Sequence, residues 1–519
     1  MKTSMISRTW RGTIAIAMAL TAASSIMGAV PTIAASKTGD NVDITINKKD
    51  GLDLNGLHQN TGVEMDEFKN QDPVNGAGFT VYDVTEYFYD AFDGTNGEDL
   101  YEKLKDEWST ILAGNADKIK AGKQQMTADG GQTTFKDLPI QVEYNKVLRN
   151  AVYVIAETTT VENMTPALPM VVALPVYMPG SKTEVNKNIQ LYPKNYGVDK
   201  VLLDTKGDPV DEENNPLYDF EVGKVLTYRV KYVIPEDIGK LNTAETAALY
   251  SQFAVKDAMT EVGTTFRKIS SVKIGDDDVM SKFGPEAAGV TLTKEESSEN
   301  AAWWQMDYDM SNDSMRTRLE EEAGNTLVVE YQVVINENAV PDTKINNDFV
   351  VSFNRDGKPI SQTDDGPNIT TGGYKFKKVD STTNEKLPGA KFKIQKAGTE
   401  LYAKFVGTWE APTSIEWVSK GEATEVESNS DGHIILQGLE HGNYVLVETA
   451  PPDGYVNPVN PDTTFTVKEG SYTVTELPQI KNTPNTPGKL PLTGGIGLIT
   501  LVVVGGALMG ASALKKKED

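Results

Sequence analysis

The residues of this chain best placed to do chemistry stand near its C-terminus. Leu490-Pro491-Leu492-Thr493-Gly494 precedes an apolar run from Ile496 to Leu514, and Lys515-Lys516-Lys517 follows. The run is about long enough to cross a bilayer core at ~1.5 Å per residue. The lysines would stay on the cytoplasmic side and stop transfer. The pentapeptide is then held just outside the membrane. Elsewhere the side chains argue against catalysis. The three histidines, His58, His433 and His441, have no partners at metal-ligand spacing, and the last two flank a short strand and read as surface residues. There is no cysteine, phosphate loop or dinucleotide fingerprint. The acidic run Asp204 to Asn215 lacks EF-hand ligand spacing, and Asp276-Asp277-Asp278 reads as a solvated loop. Neither a metal nor a cofactor is expected.

The N-terminal end agrees with export. Lys2, Arg8 and Arg11 precede an apolar stretch from Ile14 to Ala23, and small residues follow to Ala34-Ala35. This reads as a secretory signal peptide over residues 1–35. A formal net charge of -24 disfavours nucleic acid and anionic lipid as partners. Residues 36 to 493 suffice for about three domains. Many exported proteins use disulfides, so an exported chain without cysteine calls for another stabilising device.

The elements that must position any site read as β. Alternating segments bounded by Gly, Pro, Asn and Asp recur at Val42 to Asn47, Phe79 to Val84, Val225 to Ile234, Thr326 to Ile335, Tyr374 to Val379 and Asn443 to Glu448. Period-2 patterning predicts half-buried antiparallel strands, and their regular spacing predicts sandwiches. From Gly97 to Met126, Leu100, Leu104, Trp108, Ile111 and Leu112 recur at helical spacing and predict one amphipathic helix inserted in the first domain. Gly76 to Val81 echoes Gly389 to Ile394, and Tyr153 to Thr158 echoes Tyr444 to Thr449, so the first and last domains are expected to share a fold. Asp365 to Gly373 reads as a linker and Asn482 to Lys489 as a short spacer. The expected order is an N-terminal domain over 36–190, a middle domain over 191–365, a C-terminal domain over 366–485 and a terminal signal over 486–519.

Three motifs point to a family. Tyr192-Pro193-Lys194-Asn195 resembles the pilin motif of sortase-assembled Gram-positive pili. Tyr444 to Tyr455, centred on Glu448-Thr449-Ala450-Pro451, resembles their E-box. The C-terminal array resembles their cell-wall sorting signal. The chain as a whole resembles a major (backbone) pilin of the fimbrial subunit type. The resemblance implies an all-β chain of three tandem immunoglobulin-like, collagen-adhesin-type sandwiches, the last of CnaB type. It also implies a structural role: a class C sortase joins Thr493 of one subunit to Lys194 of the next. A lysine amine is a good nucleophile only when neutral. Donor and acceptor lie on different surfaces, so the contact is heterologous and a filament can grow.

The resemblance further implies an intramolecular link between a first-strand lysine and a last-strand asparagine beside a buried acid. Lys378, Asn482 and Glu448 match those positions in the last domain. Burial tends to neutralise both lysine and carboxyl, which frees the amine to attack the carboxamide. In the middle domain, Lys200 and Asn354 match by position, with Asp219 or Glu221 as the acid and Asn347 as competing partner. In the first domain Glu157 sits in an E-box-like place, but no lysine–asparagine pair stands out, and no link is expected there. Implied partners are copies of the chain, the housekeeping sortase and peptidoglycan, and minor pilins; the location is a Gram-positive cell wall or pilus. The rival readings are a monomeric wall-anchored adhesin and a basal or tip pilin. No host ligand is legible, although Trp303-Trp304 and the region from Thr85 to Phe135 are places to search.

Overall fold

The computed structural model describes residues 40–210, 218–241, 246–355 and 357–485. The segments read as a signal peptide (1–35) and as a terminal signal (486–519) lie outside them. The described chain is built of sheets in three consecutive blocks, and no sheet mixes strands from two blocks.

The first block contains β1 (Asn41–Asn47), β2 (Lys49–Asp50), β3 (Gly78–Asp83), β4 (Gln132–Pro139), β5 (Val152–Thr159), β6 (Met170–Ala173), β7 (Asn188–Leu191) and β8 (Lys194–Asn195). One sheet has the order β7-β1-β4, a second contains β6-β5-β3, and β8 pairs in parallel with β2. Val42, Ile44 and Ile46 of β1 face Phe79, Val81, Tyr153 and Ile155 of the second sheet, which forms the sandwich core. The opposite face of that sheet is covered by three short helices, α1 (Thr85–Ala91), α2 (Gly97–Asp106) and α3 (Trp108–Gly114).

The expected single helix from Gly97 to Met126 is therefore corrected. It breaks at Glu107 and ends at Gly114, and short strands at Lys120–Ala121 and Gln125–Met126 then pair with β3. Gly114 and Asn115 are poor helix formers, and free backbone along β3 offers the chain a ladder instead. The apolar stripe itself is read correctly: Leu100, Leu104, Trp108 and Ile111 are buried against Tyr82, Val152, Val154 and Val171.

The second block contains β9 (Asp199–Leu203), β10 (Val225–Val233), β11 (Tyr250–Met259), β12 (Thr264–Ile274), β13 (Val290–Lys294), β14 (Trp303–Tyr308), α4 (Asp313–Glu321), β15 (Thr326–Ile335), β16 (Ile345–Arg355) and β17 (Lys358–Ile369). Its sheets run β9-β10-β15-β12 and β13-β14-β11-β16-β17. Alternation works here as the sequence predicts. Leu226, Tyr228, Val230 and Tyr232 of β10 point inward and the residues between them do not. Trp304 is fully buried among Phe266, Tyr331 and Phe349, so of the paired tryptophans it is a core residue.

The third block contains β18 (Gly372–Asp380), β19 (Lys391–Lys396), β20 (Tyr402–Gly407), β21 (Pro412–Val418), β22 (His433–Leu439), β23 (Gly442–Ala450), β24 (Asp462–Val467) and β25 (Gln479–Asn482). Its sheets are β22-β18-β25 and β21-β20-β19-β23-β24. The segment read as a linker is instead the end of β17 and the start of β18, with Thr370-Thr371 alone between them. The Gly and Pro there are absorbed into the β16·β17 ladder, where Asn347 pairs with Gly366. The second and third blocks are thus closely docked: Trp417 Nε1 donates to Glu221 Oε2 at 3.0 Å, and the Val222 amide to the Gly438 carbonyl at 2.9 Å.

Candidate functional site

In the third block the sequence-matched trio meets in the core. Lys378 on β18 and Asn482 on β25 come from parallel neighbours, with Asp380 opposite Asn482. Lys378 Nζ donates to Glu448 Oε2 at 2.7 Å and also to Asn482 Oδ1. Asn482 Nδ2 donates to Glu448 Oε1 at 2.6 Å, so one carboxyl spans amine and carboxamide. The Phe392 ring lies 5.3 Å from Nζ. Burial pushes the Lys378 amine below its ordinary range, against the pull of Glu448. Gly432, at φ +71°, presses on the lysine backbone; a Cβ there would sit 2.7 Å from the Lys378 carbonyl oxygen. Tyr455, the last E-box aromatic, donates to Asp380 Oδ2 at 2.9 Å.

The first block repeats the lysine–glutamate pair and the backbone register of this arrangement, which the sequence reading missed. Lys48 Nζ donates to Glu157 Oε2 at 2.8 Å, and both side chains are wholly buried. Burial lowers the Lys48 pKa to about 8. Phe79 lies 5.4 Å from Nζ, and Phe79 pairs with Glu157 across β3·β5 just as Phe392 pairs with Glu448 across β19·β23. Gly131, at φ +79°, plays the part of Gly432, its Cβ position being 2.2 Å from the Lys48 carbonyl oxygen. The backbone register also repeats. Asp50, two residues after Lys48, pairs in parallel with Asn195, as Asp380, two residues after Lys378, pairs with Asn482. The available signal was a lysine two residues before an aspartate, just past β1 in the first block and at the end of β18 in the third, Lys48-Lys49-Asp50 against Lys378-Val379-Asp380.

The middle block corrects the expected partners of Lys200. Its Nζ donates to Asp257 Oδ2 at 2.5 Å and to the Asn347 carbonyl oxygen at 2.8 Å. Asn347 Nδ2 donates to the Tyr331 hydroxyl at 3.1 Å, and that hydroxyl donates to Asp257 Oδ2 at 2.5 Å. Burial lowers the lysine and raises the aspartate, the direction that favours neutral amine and neutral acid. Asn354 is not brought here. It stands seven residues along β16 from Asn347, roughly 23 Å at ~3.3 Å per residue, and on the opposite face. Asp219 and Glu221 are not here either: Asp219 accepts from the His441 amide and Glu221 from Trp417, both in the third block. His441, expected at the surface, is half-buried in that junction, 3.5 Å from Asp219 Oδ1. Asp257 could have been found from parity. It shares the inward face of β11 with Phe253, Val255 and Met259, where an acid needs a partner.

Lys194 lies between the first two blocks. Tyr192 is buried, stacks on Phe68 at 4.8 Å and receives the Met65 amide on its hydroxyl. It anchors the start of the motif, while Pro193 fixes its own φ ahead of the lysine. Lys194 Nζ then points into a cleft of about 340 Å³ lined by Trp108, Pro166, Pro169, Pro235, Glu236 and Phe353 among others. The cleft is mostly apolar, with an amine at its wall. Among the described residues no group of His, Asp and Glu is arranged to hold a metal.

Comparison with known proteins follows this geometry. Residues 39–196 match the model of the Gram-positive pilin subunit D1, N-terminal domain, and residues 372–481 match that of the SpaA prealbumin-like fold domain. The chain is 25% identical over 562 residues to fimbrial subunit type 1 of Actinomyces viscosus, covering 96% of each chain. It is 24% identical over 522 residues to fimbrial subunit type 2 of Actinomyces naeslundii, covering 90% of this chain and 87% of that one. The full-length major pilin SpaD from Corynebacterium diphtheriae shares the fold with a TM-score of 0.50 at 18% identity, over 86% of this chain and 98% of that one. By these comparisons the chain carries a Gram-positive pilin D1 domain at its N-terminal end and a SpaA prealbumin-like domain at its C-terminal end, and from end to end it is similar to fimbrial subunits.

Proposed function

We propose that this chain is the shaft subunit of a covalently polymerised fimbria, in which a class C sortase joins the Thr493 carbonyl of one subunit to Lys194 of the next. The observation that carries this reading is the placement of Lys194. An acceptor amine must be fixed, near a surface that another chain can reach, and distant in sequence from the donor end. Lys194 stands on the wall of an interdomain cleft, held by a buried tyrosine and a proline. The polymer then ends on peptidoglycan through the housekeeping sortase, with minor pilins as further partners.

The same reading assigns the three buried lysines to intramolecular amides: Lys378 with Asn482 beside Glu448, Lys200 with Asn347 beside Asp257, and Lys48 with Asn195 beside Glu157. In each, a neutral amine attacks the carboxamide carbon, the acid relays a proton to the departing nitrogen, and ammonia leaves. Each link joins strands distant in sequence and, like a disulfide, restricts the unfolded chain. The intact ectodomain is then lighter than its sequence mass by about 51 Da, or ~17 Da per amide. The polymer is tested by immunoblot of wall digests from the native host. A ladder of very large species that collapses to monomer with Lys194→Ala supports the shaft reading; a single monomer band in the wild type refutes it.

A further inference from the structure

We infer that Glu236 is the proton acceptor for Lys194 in the transfer step; the inference rests on the shaft-subunit reading. Lys194 Nζ is 2.5 Å from Glu236 Oε1, and the two side chains are only 9% and 12% exposed. A lysine amine that carries its third proton cannot attack a carbonyl. It must lose a proton as the new bond forms, and the group in contact with it is the natural acceptor. The Tyr196 hydroxyl donates to the same Oε1 at 3.1 Å, so Lys194 and Tyr196, flanking Asn195, grip one carboxylate from the first-block side.

Glu236 is held from the other side. It follows β10 in the turn Pro235-Glu236-Asp237, and Asp237 is fixed by the Tyr250 hydroxyl at 2.8 Å and by Arg355 at 2.7 Å. The other charged groups around the cleft have their own attachments. Asp106 of α2 binds Lys240 at 3.0 Å, Glu157 of β5 binds Lys48, Lys358 of β17 donates to Ser109 at 2.7 Å, and His58 lies 3.6 Å from Glu67. Lys105 of α2 also lines the cleft, but it is a cation and offers no acceptor. Asp237 is engaged by Arg355, and Glu236 alone of these acids touches the acceptor amine.

The step balances as follows. The Lys194 ammonium gives one proton to the Glu236 carboxylate. The freed amine adds to the Thr493 carbonyl of the acyl-enzyme, and the enzyme nucleophile departs as the amide forms. The second proton on nitrogen goes to that departing nucleophile, and Glu236 returns its proton to water. The net products are one amide, one regenerated enzyme nucleophile and one proton.

The test follows ladder growth after a pulse of label in native-host cells carrying the full chain, in media buffered from pH 6 to 9. Glu236→Gln is expected to slow ladder growth about 100-fold near pH 7, within the range for general-base catalysis. It should also make the rate rise roughly tenfold per pH unit where the wild type is flatter, because solvent base must then deprotonate the amine. Glu236→Asp should restore the wild-type pH profile at reduced rate, and serves as the decisive variant if the glutamine form is degraded. A Gln variant with wild-type rate and profile overturns the assignment, as does one that is slow at every pH with an unaltered profile. Persistence of the ladder in Lys194→Ala instead defeats the shaft reading itself.

Discussion

The first and third blocks carry one device in two settings. In each, a lysine lies buried beside a glutamate and a phenylalanine that pair across two strands, and a left-handed glycine packs on the lysine backbone. In each, the aspartate two residues later pairs in parallel with an asparagine. The settings differ in what surrounds that asparagine. Asn482 lies on β25, the last strand of its block, whereas Asn195 directly follows Lys194. Under the proposed chemistry, tension enters a subunit at Lys194 and leaves through Thr493. The two devices then stand at the two ends of the loaded path, where strands would otherwise peel first. The lesson is positional. A cross-strand amide matters most next to the residue that is pulled, because it passes the load to β1 and β18 without asking a hydrogen-bond ladder to bear it.

The largest effect that would sharpen this comparison comes from Glu448→Ala. It removes the proton relay, so the Lys378–Asn482 amide should not form, and the ectodomain should regain about 17 Da. It also leaves a buried amine without its carboxylate. Loss of the link and the orphaned amine together should cost about 5 kcal/mol, which lowers the melting temperature of the third block by roughly 20 °C or more. Mass spectrometry and calorimetry read the two consequences separately. An unchanged mass would break the comparison at its better-formed end.

The first block gives a sharper and smaller signal, through pH. Asn195→Ala should leave Lys48 as a free buried amine with a folded pKa of about 8, against an ordinary 10.5. The unfolded chain then binds more protons between these values, so folding stability rises as pH goes from about 8 to 10.5 and is flat below. The increment is about 3 kcal/mol for a shift of this size. In the wild type, with Lys48 acylated, that rise should vanish. Urea unfolding of the two proteins across this range decides it. A wild type that follows the variant would show that only the third block makes its amide.

How far these sites were legible depended on the range of the signal. The strands were legible because burial follows a two-residue period, as in Leu226, Tyr228, Val230 and Tyr232 of β10. Lys378, Glu448 and Asn482 were legible because a local motif surrounds Glu448 and the other two sit at the block's first and last strands. Lys48 carried its signal in the spacing to Asp50, but its meaning came from β8, about 145 residues on, which no local pattern announces. The helix over-extended for a related reason. Its stripe was real, yet the cost of leaving β3 backbone unpaired, which ended it, is a tertiary quantity. Glu236 was invisible because its partner lies across a block boundary.

The middle block supplies the smallest expected effect and the cleanest discrimination. Its lysine departs from the pattern of the other two. Lys200 reaches across the sandwich to Asp257 on β11 and Asn347 on β16, with Tyr228 and Tyr331 rings 5.2 and 5.9 Å from its amine. Its stem runs beneath Gly366, where a Cβ would fall 2.7 Å from Lys200 Cδ. Asn347→Ala should restore one increment of about 17 Da. Asn354→Ala should restore none, because Asn354 faces away from this core and the strand places it beyond the reach of any lysine side chain from position 200. Its stability cost should stay within about 1 kcal/mol, as for a half-buried polar side chain outside such a network. If the Asn354 variant, and not the Asn347 variant, gained the increment, the middle block would have to open and re-pair its strands before bonding. The three lysines would then no longer share one chemistry performed in the folded core.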